Sequence, residues 1–192
     1  MKNIVFATNN RHKLEEIRAI VGHSFNILSL SDIGCYEDIA ETADSFEENA
    51  LIKARYVYDK YGYDCFADDS GLEVLSLNNV PGVYSARFAG EPSDSAKNIE
   101  KLMLLMTGIK DRRARFRTCI ALIYEGIENL FEGCINGCII ETLRGNNGFG
   151  YDPLFQPDGY DLTFAEMTAD EKNKISHRAL ATKKLVEYLL KK

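Results

Sequence analysis

No stretch of this 192-residue chain approaches the roughly 20 consecutive apolar side chains that a membrane-spanning helix needs. The N-terminal MKNIVFATNN holds an apolar run too short for the core of a secretory signal. Internal repeats, low-complexity tracts and linker-like segments are absent as well. The chain therefore predicts a soluble, cytoplasmic protein with no membrane partner. Positive charge is in deficit: 23 Lys and Arg stand against 29 Asp and Glu, for a formal net charge of -6. A nucleic-acid backbone is gripped mainly through Lys and Arg contacts to phosphate, so general nucleic-acid binding is excluded. A small anionic substrate remains open, because a few basic groups gathered at one place suffice for it.

Paired cysteines are lacking too. The five thiols are Cys35, Cys65, Cys119, Cys134 and Cys138, an odd number with scattered spacing. Cys134 and Cys138 stand four apart in a run that reads as strand, so they share a face. No further soft ligands lie near them to complete a zinc site. Reduced thiols of a cytosolic protein are the expectation.

What is present is a regular alternation of strand and helix patterns over a length suited to one domain, or two small lobes sharing a core. We read residues 1–192 as a single catalytic domain. Ile4–Ala7 reads as a buried, possibly parallel strand, and Leu14, Ile17, Ile20 and Val21 recur at helical spacing after it. Ser45 with Glu48 fits a capping box that opens a second helix. A strand at Asp64–Ala67 leads into a turn at Asp68-Asp69-Ser70-Gly71, and Leu72–Leu77 continues beyond it. Asn78–Gly82 is a strong turn signal, and Ser95–Met106 is helical. Arg115–Tyr124 and Asn129–Ile140 pair across Glu125-Gly126 as an antiparallel hairpin. Arg144–Gly150 is a glycine-rich loop, Thr168 with Glu171 is a second capping box, and Leu185, Tyr188 and Leu189 stripe a last helix. The class is α/β with a mixed sheet.

Several segments hold residue types suited to chemistry. Thr8-Asn9-Asn10-Arg11-His12-Lys13 sets a hydroxyl, two amides and a lysine between strand and helix, where backbone N–H groups and the helix dipole favour an anion. No glycine-rich run precedes the lysine, so this is not a Walker A loop, and a simple helix cap with a surface lysine is the alternative. In Asp68-Asp69-Ser70-Gly71, adjacent carboxylates on extended backbone point to opposite faces, so one of them faces a given site. A carboxylate there can hold Mg²⁺, with Glu41, Glu47 or Glu48 as further acids; an acidic turn is the alternative. Gly148-Phe149-Gly150-Tyr151-Asp152-Pro153 offers aromatic rings for a planar base and an acceptor for its hydrogens, or else a well-packed turn. His177 and Arg178 can donate to a purine's exocyclic oxygen, or else cap a helix.

Together the segments ATNNRHK, SFEENALIKA, FADDSGLEV, PGVYSARFAG, RGNNGFGYDPLF and SHRA resemble the inosine triphosphatase family, the XTP/dITP diphosphatases, in order and spacing over essentially the whole chain. The resemblance implies an elongated mixed-sheet α/β fold of two lobes around a central cleft, usually assembled as a homodimer. It implies Mg²⁺-dependent hydrolysis of non-standard purine nucleoside triphosphates (ITP, dITP, XTP) to the monophosphate and pyrophosphate. It gives Asp69 the role of metal ligand and proton acceptor, and Glu41 that of the second metal ligand. It gives substrate contacts to Thr8, Asn9, Asn10, Arg11, His12, Lys13 and Lys53 on the phosphate side, and a further substrate contact to Ser70. Phe149, Gly150, Tyr151, Asp152, Lys172, His177 and Arg178 resemble the base and sugar pocket. The chain departs from the family pattern at Ala43, where glycine is common after Glu-Thr, at Asn9, where glycine is frequent, and at Leu143, where proline is usual. A pyrophosphatase for other modified nucleotides and a catalytically silent nucleotide sensor are the rival readings.

Overall fold

The structure is a computed structural model that describes residues 2–22 and 24–192. Its strands are β1 (Asn3–Phe6), β2 (Asn26–Leu28), β3 (Cys65–Val74), β4 (Val80–Pro81), β5 (Arg113–Tyr124), β6 (Ile127–Ile139) and β7 (Phe155–Pro157). Its helices are α1 (Arg11–Val21), α2 (Phe46–Tyr61), α3 (Ser95–Leu105), α4 (Ala169–Ile175) and α5 (His177–Leu189). The strands form one mixed sheet in the order β2-β1-β3-β5-β6-β7, with β4 paired antiparallel to β3. β1 has parallel partners on both sides, Ile4 opposite Ile27 of β2 and Phe6 opposite Phe66 of β3. This is the mixed α/β class that the alternation of patterns implies.

The chain divides into two compact units, and three strands contribute to both. Unit one comprises the chain up to Asp69, Thr118–Gly133 and Arg178–Lys192; unit two comprises Ser70–Arg117 and Cys134–His177.

In unit one, side-chain alternation along β1 feeds two cores. Ile4 and Phe6 pack with Ile17 and Val21 of α1 and with Ala181 and Leu185 of α5, and the Phe6 and Phe66 rings stack at 4.6 Å. Val5 and Ala7 point the other way, onto Ala50, Ala54 and Val57 of α2. A strand buried on both faces must be apolar throughout, which is why it reads as a continuous apolar run. Glu125 and Gly126 both take positive φ and close the two-residue hairpin between β5 and β6. The core of unit two gathers Leu72 and Val74 of β3, Leu102 of α3, Phe116 of β5, and Tyr151, Phe155 and Phe164. Among the described residues, no helix is long and apolar enough to cross a membrane.

Two expectations about β3 need correction. There is no turn at Asp68–Gly71: β3 runs unbroken from Cys65 to Val74, and all of it but half-buried Ser70 is buried. The strand then ends at Val74, and Leu75–Leu77 is a short 3-10 helix rather than more strand. Acidic residues read as a turn because they are poor strand formers alone. Here basic groups from α1 and α5 meet the charge of Asp68 from 55 and 110 residues away.

Gly71 serves close approach, not a turn. A Cβ built on it would lie 2.2 Å from the Gly82 carbonyl oxygen and 2.7 Å from Ser85 Oγ. Ser85 Oγ is fixed in turn, since it accepts from Leu72 N at 2.9 Å and donates to the Gly82 carbonyl at 2.6 Å. Gly71→Ala is therefore expected to cost about 3 kcal/mol or more, at the upper end for overpacking. Urea denaturation measures it, and a midpoint equal to the wild type would refute the packing account.

Candidate active site

The site residues of unit one start at the N-terminus of α1. Asn10 is the helix cap, its Oδ1 accepting from Lys13 N at 3.1 Å, and Thr8 Oγ1 accepts from Asn10 N at 3.1 Å. No acidic residue occupies the first turn, so nothing there competes with an anion for the helix N-terminus. Asn9, Asn10, Arg11 and His12 are exposed, and Arg11 pairs along the surface with Glu15. Lys13 is not the surface lysine of the alternative reading. Its side chain is 14% exposed and its Nζ donates to Asp68 Oδ1 at 3.0 Å.

Asp68 and Asp69 are set apart by the pleat of β3. Asp68 accepts from Lys13 on one oxygen and from Arg178 Nε on the other, at 3.2 Å. Arg178 continues through Nη1 to Glu16, which makes a buried chain of alternating charge: Lys13, Asp68, Arg178, Glu16. Burial alone would push the Asp68 carboxyl up, but Lys13, Arg178 and Lys53 together hold it well below the usual carboxylate range. Burial lowers the Lys13 ammonium, with the charge of Asp68 working against that fall. Asp69 instead accepts from Asn49 Nδ2 at 3.0 Å. Burial pushes its carboxyl above the ordinary value, and the charge of Glu41 adds to the rise while Lys53 opposes it. The two neighbouring carboxyls are thus driven in opposite directions, Asp68 down by its cationic partners and Asp69 up by burial.

Lys53 rises from α2 into the same region. It is buried, donates to a Glu41 oxygen, and donates to the Asp68 carbonyl at 2.7 Å. Three N–H donors on the ammonium allow these contacts and one more. Among the described residues, no group of three or more His, Cys, Asp or Glu side chains is arranged to hold a metal ion. The carboxylates that could hold one are Asp69 and Glu41, which flank Lys53: Lys53 donates to Glu41, and its charge acts on Asp69. Two carboxylates, with phosphate and water making up the rest, suit Mg²⁺ and not the closed sulfur and nitrogen sets of zinc.

Unit two carries the aromatic and base-type residues. Lys172 Nζ donates to Asp152 Oδ2 at 2.7 Å, both side chains buried, and Phe149 N donates to the same oxygen at 2.8 Å. The Lys172 ammonium lies 5.0 Å from the centre of the half-buried Phe149 ring. His177 stacks on Phe116 with centroids 4.7 Å apart and planes 9° from parallel. Tyr151 is not a face for a base: its ring joins the core and its hydroxyl donates to the Ser85 carbonyl at 2.9 Å. Ser70 follows Asp69 directly in β3, and Gly150 precedes Tyr151 with positive φ. Arg178, paired with His177 in the sequence reading, belongs to the charge chain of unit one, held by Asp68 and Glu16.

Two residues to which the sequence motifs assign no role, Asn49 and Glu16, join these side chains. Asn49 and Lys53 fall on the buried stripe of α2 with Phe46, Ala50, Ala54 and Val57. Polar residues at apolar register on an amphipathic helix were the available signal. Glu16 lies one turn beyond Lys13 and so on the same side of α1.

A mixed α/β sheet carrying a buried set of lysines and carboxylates beside an unoccupied-by-acid helix N-terminus defines a protein built to handle phosphates. Residues 4–188 match the Ham1 family, and the chain belongs to it. It is 55% identical over 188 residues to the dITP/XTP pyrophosphatase of Christiangramia forsetii, covering 98% of this chain and 99% of that one. It is 52% identical to the dITP/XTP pyrophosphatase of Flavobacterium johnsoniae, covering 97% of each. The Staphylococcus aureus Ham1 protein superposes with a TM-score of 0.90 at 38% identity, covering 99% of both chains. The resemblance drawn from the motifs is thereby borne out.

Proposed function

We propose that this protein hydrolyses ITP, dITP and XTP to the nucleoside monophosphate and pyrophosphate, and so clears such nucleotides from the cellular pool. The observation that carries the reading is the buried set of Lys13, Lys53, Asp68 and Asp69, which supplies two cations for phosphate and two carboxylates with opposed titration. Relatives at about half identity over the full length are named for that activity.

The phosphates are assigned to Thr8–Lys13 at the start of α1, to Lys53 and to Ser70. Asp69 takes the proton from a water that attacks the α-phosphorus. The bond to the bridging oxygen then breaks, and pyrophosphate leaves with its charge balanced by Lys13 and Lys53. Asp69 and Glu41 would hold Mg²⁺, which would supply further charge stabilisation for the reaction. Phe149, Gly150, Asp152, Lys172 and His177 are assigned to the base and sugar; Tyr151, a core ring, and Arg178, held by Asp68 and Glu16, are left out of that set. His177 donates to the 6-oxo group of hypoxanthine or xanthine, so the 6-amino group of ATP meets a donor with no acceptor. The protein is assigned to the cytoplasm as a homodimer, for which light scattering is the check.

Pyrophosphate release from ITP, dITP, XTP, GTP and ATP, with Mg²⁺ and with EDTA, tests the proposal. Release from the first three is expected with Mg²⁺ only, with ITP ahead of ATP by roughly 10²-fold or more in kcat/KM. Silence with every nucleotide would overturn the activity, and equal rates for ITP and ATP would overturn the donor argument.

A further inference from the structure

Asn49 has no part in the assignments above, yet it is fully buried in the first turns of α2. Burying a carboxamide is costly unless both ends are hydrogen-bonded. Both ends are used here. Nδ2 donates to Asp69 Oδ2 at 3.0 Å, and Oδ1 accepts from Ala43 N at 2.9 Å. These partners fix the orientation of the amide, since a carboxylate oxygen can only accept and a backbone N–H can only donate. The side chain therefore ties β3 at Asp69 to the segment that carries Glu41, two residues before Ala43. At this point the chain has Ala43 where relatives in the resemblance often have glycine, and the Asn49 amide holds that backbone.

We infer that Asn49 is a positioning residue for the metal-binding side of the site, fixing Asp69 and the Glu41–Ala43 segment in one mutual arrangement. The inference rests on the assignment of Asp69 and Glu41 as metal ligands. Its physical content is that the amide takes one oxygen of Asp69 and so orients the carboxylate. Groups that hydrogen-bond a ligating carboxylate orient it, and their loss typically weakens metal affinity by about 10–100-fold. A role confined to packing α2 would lower the melting temperature without changing the metal affinity of the folded protein.

Mn²⁺ binding to the full chain, followed by electron paramagnetic resonance in the absence of nucleotide, separates the two. Asn49→Ala is expected to weaken Mn²⁺ binding about tenfold or more. It is also expected to lower kcat for ITP with little change in KM, because Lys13 and Lys53 are untouched. Asn49→Leu, which keeps the side-chain volume, is expected to behave the same way and stands in should the alanine variant not fold. Asp69→Asn, run alongside, is expected to lose Mn²⁺ binding. Affinity within twofold of wild type in both folded Asn49 variants, with binding lost in Asp69→Asn, would overturn the inference alone. Unchanged affinity in Asp69→Asn would overturn the metal assignment, and the inference with it.

Discussion

Asp69→Asn is expected to lose on the order of 10³-fold in kcat/KM for ITP while melting at or above the wild-type temperature. The two halves of this expectation come from the same environment. Burial and the charge of Glu41 push the Asp69 carboxyl up, so the folded protein disfavours its charged form. Asparagine has the same shape, carries no charge, and offers an oxygen that can still accept from Asn49 Nδ2. The fold therefore keeps the hydrogen bond from Asn49 and sheds a desolvation penalty. In the proposed mechanism the chemistry loses a proton acceptor, whose contribution is typically 10²–10⁴-fold, together with one of the two carboxylates proposed for the metal. Activity and melting temperature measured on the same preparation decide the matter. A rate near the wild type would remove Asp69 from the mechanism. A large fall in melting temperature would mean that the carboxylate serves the fold.

That split between charge for chemistry and charge for folding was only half legible in the sequence. Periodicity was enough for β1 and α1, because Ile4–Ala7 and Leu14, Ile17, Val21 answer to local geometry. The Thr168–Glu171 capping box needs only four residues, and it forms in full. The Glu125-Gly126 turn is equally local. β2 and β7 are three residues each, too short to show a period. Asp68–Gly71 was misjudged because its strand conformation depends on Lys13 and Arg178, which local propensity does not contain. The residue types of the candidate site could be picked out, but not their partners. Tyr151 looked like a stacking ring and is core, and Asn49 looked like one polar residue among several at a helix start.

Asp68→Asn is expected to be the most destabilising of the conservative changes in this region, by roughly 3–5 kcal/mol, the usual cost of removing one partner from a buried ion pair. The Asp68 side chain is 0% exposed and lies between Lys13 and Arg178. The surface pair of Arg55 and Glu128 has a shorter contact, 2.6 Å, but its side chains are 52% and 40% exposed, and solvent reduces such pairs to about 0.2–1 kcal/mol. Burial thus outweighs distance. Lys13 has a partial escape in the variant, since burial already lowers its ammonium and it can shed the proton. Arg178 has none: its guanidinium keeps its charge, loses Asp68 and retains Glu16. For a chain of this length the loss corresponds to roughly 6–20 °C in melting temperature. The pH dependence identifies the cause. The Asp68 carboxyl is held below its ordinary value of 3.8 in the folded protein, so its stabilisation is fully present above that value and is lost as pH falls through the lower folded one. The gap between wild type and variant, from urea denaturation, is therefore expected to be constant from neutral pH down to about pH 5 and to close below about pH 4. A gap under about 1 kcal/mol at pH 7 would mean that the charge chain is as weak as a surface pair. A gap that persists unchanged into acid would mean that shape, not charge, holds Asp68 in place.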